Sequence, residues 1–241
     1  MILATDDAAF DKLNRHSSTP CFKRFYVPIT TLFFDLDGTV SNNALGIQRC
    51  LNYGLAKLGY KTLSEQEVKP FIGPPFRESL PKHFYDIDVE AVLHLYRERY
   101  TEHGWQENQI YDGVTQAIRT LYAQGFTIAL CTSKPRVFAE RIIEHFELTR
   151  YFDGVHGPEL DGRFDKKTDL LSHLVTHYNV DPTKAVMIGD RDKDIEAALH
   201  VNTNSIGVLW GFGDRAELES AGALRIVDSP SELVDAVHQF Q

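Results

Sequence analysis

The apolar run Leu32-Phe33-Phe34 drives straight into Asp35-Leu36-Asp37-Gly38-Thr39-Val40, and no other stretch constrains the fold as much. A short β-rich apolar run closed by a glycine predicts a buried strand, with two carboxylates emerging where its backbone pairing ends. Residues two apart in an extended chain project from one face, so Asp35 and Asp37 lie side by side unless the chain turns between them. Like charges that close repel. A divalent cation, an unequal sharing of protons, or both would relieve the repulsion, and each is a device of catalytic sites. The plain alternative is a strand end with an aspartate turn before Gly38.

Downstream, Leu45, Cys50-Leu51, Leu55 and Leu58 recur at helical spacing, with Gly59 as a C-terminal stop. Ser64-x-x-Glu67 has the spacing of a capping box and opens a second helix, which the Pro70 region and Gly73-Pro74-Pro75 end. A short helix from Arg77 and a longer one from Asp88 to Glu102 follow, and this all-helical segment contains no convincing strand. From Tyr111-Asp112-Gly113 the texture changes. Predicted strands at 126–131, 152–156, 185–188, 205–209 and 225–227 alternate with helical patterns, the signature of a parallel sheet covered on both faces. The expected class is therefore α/β, with a Rossmann-like core interrupted by an all-helical insertion.

At 241 residues the chain is long enough for a full core and a smaller second domain. Its net charge of -9 argues against a nucleic-acid polymer as partner, because phosphate backbones need clustered Lys and Arg. Cys21, Cys50 and Cys131 are odd in number and show no CxxC spacing, so neither a disulfide framework nor a zinc site is expected, and a reducing cytoplasm fits best. No apolar run approaches the roughly 18 to 20 residues needed to cross a bilayer, so no membrane role is expected. Met1-Ile2-Leu3 with Asp6, Asp7 and Asp11 is unlike a signal peptide. Residues 1–30 read as an extension with a short helix near 7–15 and a break at Ser17 to Pro20.

Open parallel sheets gather ligands at the carboxyl ends of their strands. Three independently predicted strands end in functional side chains there: Asp35 and Asp37, Thr132 and Ser133, and Asp190 with Asp194. Three or more carboxylates on one edge suit a hard, oxygen-liganded cation, and Mg2+ is the usual choice where phosphate is also bound. Lys166 or Lys167, at the start of a predicted helix, would add a point charge for an anion at that helix's N-terminus. The ten histidines form no paired-ligand pattern, and Gly207, Gly211 and Gly213 do not form a dinucleotide fingerprint.

With these residues in view, the chain resembles the haloacid dehalogenase superfamily of phosphatases over about residues 31 to 240. Asp35 to Thr39 is similar to that family's DxDGT motif, and Ile128 to Thr132 to its apolar strand ending in Thr or Ser. Lys167, with Lys166 as runner-up, matches its motif lysine, and Gly189-Asp190 through Asp194 its GDxxxD. The Phe71 to Pro75 stretch, Tyr111-Asp112-Gly113, Cys131 to Pro135 and Met187 to Arg191 look like the phosphoglycolate phosphatase and 5'-nucleotidase-like branch.

The resemblance implies a catalytic core at 31–43 and 111–241 and a helical cap, of the kind called C1, at 44–110. It implies that Asp35 attacks phosphorus to form an aspartyl-phosphate while Asp37 protonates the leaving oxygen and later activates water. Thr132 and Lys167 complete the catalytic set it implies. Mg2+ would be held by the Asp35 carboxylate, the Asp37 backbone carbonyl and Asp190, with Asp194 either a ligand or a support. Thr132, Ser133, Lys134, Gly73 and Arg77 are the implied substrate contacts. The expected partner is a small phosphorylated metabolite, such as phosphoglycolate or a nucleoside monophosphate. A sugar phosphomutase and a phospho-ligand binding module without turnover are the alternatives, and monomer and homodimer stay equally open.

Overall fold

The protein, seen in a computed structural model, is described over residues 28–74, 76–159 and 161–240. The expected helix near 7–15, Cys21 and Pro75 lie outside the described residues.

In chain order the first half comprises β1 (Thr31–Phe34), β2 (Ser41–Asn42), α1 (Ala44–Lys57), α2 (Glu65–Val68), α3 (Phe76–His83), α4 (Val89–Arg99) and β3 (Gln109–Ile110). The second half comprises α5 (Val114–Ala123), β4 (Thr127–Cys131), α6 (Arg136–His145), β5 (Gly154–His156), α7 (Lys167–His177), β6 (Ala185–Gly189), α8 (Asp192–Val201), β7 (Asn204–Val208), α9 (Arg215–Ser220), β8 (Arg225–Val227) and α10 (Leu233–His238). Six strands form one parallel sheet in the order β5-β4-β1-β6-β7-β8.

Alternation along the strands builds a core on each face of this sheet. Leu32, Phe34, Ile128, Leu130, Val186 and Ile188 join one buried cluster. Phe33, Ala129, Cys131, Ala185 and Met187 join the other, with Leu170, Leu171 and Leu174 of α7 and Ala197 and Ala198 of α8. Successive strand side chains point to opposite faces, so a strand buried on both sides reads as an unbroken apolar run. Phe33 is 0% exposed, and each such side chain contributes about 1.5–3 kcal/mol on burial.

The helical segment between β2 and β3 has its own apolar cluster, built on Ile47, Leu51, Leu55, Val68, Phe71, Ile72, Leu80 and Val92. The capping box at Ser64 forms as the spacing predicts, with Ser64 accepting from the Glu67 N–H and Glu67 accepting from the Ser64 N–H. Gly59 follows α1 at φ +79°, as a glycine stop should.

Three local expectations are corrected. Leu45 and Leu58 are 46% and 39% exposed, because α1 turns Gly46, Ile47, Cys50, Leu51, Gly54 and Leu55 inward and the two leucines fall at the rim of that stripe. A strand does close the helical segment: Gln109 and Ile110 pair antiparallel with Asn42 and Ser41, a two-residue ribbon too short to show periodicity. The long helix does not run to Glu102 as α-helix but relaxes into a π-helical turn at Tyr100–Gly104.

Candidate active site

β1 lies between β4 and β6, with Phe34 in register with both Leu130 and Ile188. The residues that follow these strands therefore emerge side by side: Asp35 after β1, Thr132 after β4 and Asp190 after β6. β4 and β5 extend the sheet one way from β1, and β6 to β8 the other, so the β1/β6 crevice is the topological switch point at which such sheets bind ligands. The Asp35 N–H donates to the Ile188 carbonyl at 2.9 Å, carrying the strand pairing into the site.

Beyond Asp35 the chain turns. Gly38 has φ +90°, and the Gly38 N–H donates to the Ser41 carbonyl at 2.8 Å. The turn brings Gly38 so close to Asp190 that a Cβ here would stand 2.1 Å from Asp190 Oδ2. Asp190 is fully buried; Thr39 Oγ1 donates to its Oδ1 at 3.2 Å and the Phe212 N–H to its Oδ2 at 2.8 Å.

Asp35, Asp190 and Asp194 are all buried and offer carboxylate oxygens within 4.8 Å of one another. Lys167 Nζ reaches into this group, 3.0 Å from Asp35 Oδ1 and 2.5 Å from Asp194 Oδ1. Its neighbour Lys166 is exposed. Asp194 Oδ2 accepts from the Arg191 N–H at 3.0 Å, so both of its oxygens already face protein donors. Asp35 Oδ1 and Asp37 Oδ1 are enclosed, the first beside Lys167 at 3.0 Å and the second beside the Asn43 side chain.

Asp37 points elsewhere. Its Oδ2 pairs with Lys134 Nζ at 2.6 Å, and Lys134 is only 8% exposed. The two aspartates thus have different cationic partners, Lys167 for Asp35 and Lys134 for Asp37. Thr132 is buried and its Oγ1 accepts from the Lys134 N–H at 3.2 Å, while Ser133 is exposed on the same loop.

Burial governs the titration of these groups. It pushes the Asp37 carboxyl upward, an effect that Lys134 partly offsets and the Asp35 charge reinforces. Burial, then the charges of Asp194 and Asp35, raise Asp190 well above the ordinary carboxylate range. Asp194 is pushed up to about 6 by burial despite the pull of Lys167. For both lysines burial favours the neutral form, but Asp37 and Tyr100 around Lys134, and Asp194 and Asp35 around Lys167, outweigh it and hold the ammoniums charged. When all are ionised, four carboxylates face two ammoniums and leave two negative charges unbalanced, in an all-oxygen setting. That deficit and the converging oxygens of Asp35, Asp190 and Asp194 fit a hard divalent cation.

The helical segment approaches the site through the loop at Ile72, Gly73 and Pro74. Arg191 Nη1 donates to the Ile72 carbonyl at 2.5 Å while its Nε donates to Glu217 at 2.7 Å, and Gly73, at φ +101°, packs against the same guanidinium. Arg77 is not brought to the carboxylates: it makes a two-point ion pair with Glu90 at 2.7 and 3.0 Å and is more than half exposed. Its place on the outward side of α3 was not legible from a short helical pattern. The Lys134–Asp37 pair, the Thr39 donor to Asp190 and the Tyr100 side chain over Lys134 are the site features that sequence reasoning missed. For the first, a lysine three residues beyond a strand end was a signal, though such loop bases are usually solvated.

Residues 32–208 match the family model of the haloacid dehalogenase-like hydrolases. A 5'-nucleotidase of Pseudomonas aeruginosa is 37% identical over 193 residues, covering 78% of this chain and 86% of that protein. The tyrosine-protein kinase PtkA of Mycobacterium tuberculosis is 31% identical over 182 residues, 76% of this chain and 62% of that protein. Among solved structures, a predicted phosphatase from Clostridium acetobutylicum superposes with a TM-score of 0.83 at 36% identity, covering 88% of this chain and all of that one.

Proposed function

The chain belongs to the haloacid dehalogenase-like hydrolases, and from that premise we propose that it is a Mg2+-dependent phosphomonoesterase working through an aspartyl-phosphate on a small metabolite. The observation that carries this reading is the convergence of Asp35, Asp190 and Asp194 around Lys167 at the carboxyl edge of β1 and β6.

Asp35 is the nucleophile, because its buried carboxylate stands at the carboxyl end of β1 with the Lys167 ammonium at 3.0 Å. An anionic phosphate repels a carboxylate unless charge is neutralised, and Lys167 does part of that work. The metal, held by Asp35, the Asp37 backbone carbonyl and Asp190, supplies the rest when bound. We read Asp194 as the residue that orients Lys167 and not as a ligand, since both its oxygens accept from protein donors. Asp37 is the acid and base: burial raises its pKa, so it gives a proton to the leaving oxygen and takes one from water. Thr132 and the backbone around it receive phosphate oxygens. The helical segment at 44–110 is the cap, with the Gly73 loop as its edge over the core.

Phosphate release from p-nitrophenyl phosphate and a panel of phosphorylated metabolites tests the reading. Activity should vanish in Asp35→Asn and on chelation, and undiminished release in either sinks it. Interconversion of sugar phosphates with little free phosphate would instead mark a mutase. Phosphorylation of protein tyrosine, the activity in the mycobacterial relative's name, would mark a kinase. Ligand binding with no turnover of any kind would mark a binding module.

A further inference from the structure

Tyr100 is the side chain whose chemistry the preceding reading leaves unused. It is 2% exposed, and while the Lys134 ammonium interacts with its hydroxyl oxygen, the O–H finds no acceptor among the described residues. A buried O–H left without an acceptor costs about 1–3 kcal/mol. A phenylalanine would fill the same volume without that cost, so packing alone does not account for a tyrosine.

The ring's placement is over-determined. Tyr100 opens the π-helical turn that ends α4, and the Trp105 N–H donates back to its carbonyl at 3.3 Å. Such turns are rare and collect at functional sites. The turn presses on α1: a Cβ at Gly104 would lie 2.4 Å from Cys50 Sγ and 2.8 Å from Tyr100 Cδ2. Arg99 fastens it, donating to Glu107 at 2.7 and 2.9 Å and to Cys50 Sγ at 3.1 Å. The Tyr100 ring stacks on Tyr96 at 5.3 Å and meets the edge of Phe138, from α6 of the core, at 5.1 Å.

What the hydroxyl faces is also defined. Lys134 Nζ is 5.1 Å from the ring centroid, and the same ammonium is 2.6 Å from Asp37. Of the charges in the site, those of Lys134 and Asp37 act on the phenol; burial, reinforced by Asp37, outweighs the pull of Lys134 and keeps it protonated, hence a donor. Tyr100 therefore stands on the Asp37 side, where a leaving alcohol departs, and not on the side of Asp190 and Asp194.

We propose that Tyr100 is the cap's specificity residue, donating its hydroxyl to an oxygen that the substrate carries on the carbon next to the ester carbon. Phosphoglycolate has a carboxylate there and a nucleoside 5'-monophosphate has its ring oxygen there. The two otherwise dissimilar classes thus share the acceptor that this donor reads. The proposal rests on the phosphomonoesterase reading of the site.

Ethyl phosphate is phosphoglycolate with a methyl in place of the carboxylate, so the pair isolates that acceptor. Tyr100→Phe keeps the ring and its contacts, and its thermal midpoint is expected to equal or exceed that of the parent. The kcat/KM ratio of phosphoglycolate to ethyl phosphate should fall about ten-fold, the worth of one hydrogen bond. A fall of less than five-fold overturns the proposal, whatever happens to the two rates together. The same ratio is read in Kd by calorimetry on Asp35→Asn with and without Tyr100→Phe, with the same threshold. If the parent protein releases no phosphate, the phosphomonoesterase reading fails, while the binding ratio still decides Tyr100. Binding of neither compound by Asp35→Asn also overturns the proposal.

Discussion

Gly38→Ala tests the link between backbone turn and site most directly. The added Cβ would lie 2.1, 2.5 and 2.6 Å from the three terminal atoms of the Asp190 carboxylate, well inside van der Waals contact. A non-glycine residue at φ +90° adds strain of about 1–2 kcal/mol. Relief of the collision requires Asp190 to move, and Asp190 is held by Thr39 Oγ1 at 3.2 Å and the Phe212 N–H at 2.8 Å. Loosening two hydrogen bonds to a buried carboxylate costs about 2–4 kcal/mol after allowing for non-additivity, so the total is about 4 kcal/mol.

Urea unfolding followed by circular dichroism reads this as a midpoint lowered by about 1.5–2 M. Gly59→Ala is the internal control: φ is +79° but nothing lies within 4 Å of its Cβ, so only the strain of about 1–2 kcal/mol applies. The Mg2+ concentration for half-maximal phosphate release should rise at least ten-fold in Gly38→Ala and stay put in Gly59→Ala. Equal midpoints and equal Mg2+ curves for the two variants would refute the claim that Gly38 is there to admit the Asp190 carboxylate.

Two further outcomes follow from groups outside the carboxylate cluster. Burial, then the charges of His177 and His173, hold His156 down at about 4, against an ordinary value near 6.5. The unfolded chain takes up that proton first, so stability present above about pH 6.5 is lost as pH falls towards 4, by up to about 3 kcal/mol. His156→Gln, which still pairs with the Tyr178 hydroxyl, should flatten that part of the urea-midpoint profile, and an unchanged acid slope would count against the assignment. Arg191→Ala removes the donor to the Ile72 carbonyl, and exchange of the Phe71, Ile72 and Gly73 amides should accelerate at least ten-fold while the α7 amides keep their protection. Equal protection of that loop in both proteins would show that the guanidinium does not fasten it.

The parts of this molecule legible in its sequence are those set by local rules. Leu32, Phe33 and Phe34 announce a doubly buried strand because both faces of the sheet are covered, and Ser64 with Glu67 announces a helix start because both hydrogen bonds fall within one turn. Asp35, Thr132 and Asp190 were legible as one group because parallel strands in register deliver their last residues to one edge. What stayed hidden depends on tertiary neighbours. Lys134 differs from any loop lysine only through Asp37, ninety-seven positions earlier in the chain. Lys166 and Lys167 are indistinguishable until the start of α7 is rotated against the sheet, which buries the second and exposes the first. Tyr100 reads as one more apolar position of the helix expected from Asp88 to Glu102, because a change from 3.6 residues per turn to a wider turn leaves no mark in the pattern of residue types.

The position of β1 in the sheet also sets a timetable. Thr31 pairs with Thr127 on one side and with Ala185 on the other, so the strand that carries Asp35 is made early and completed late. As the ribosome delivers the chain, the helical segment can collapse on its own apolar cluster while β1 still has an open edge, and that edge closes only when β6 emerges. Until then Thr31–Phe34, a strand buried throughout in the finished fold, presents an unpaired edge to which another extended chain can pair.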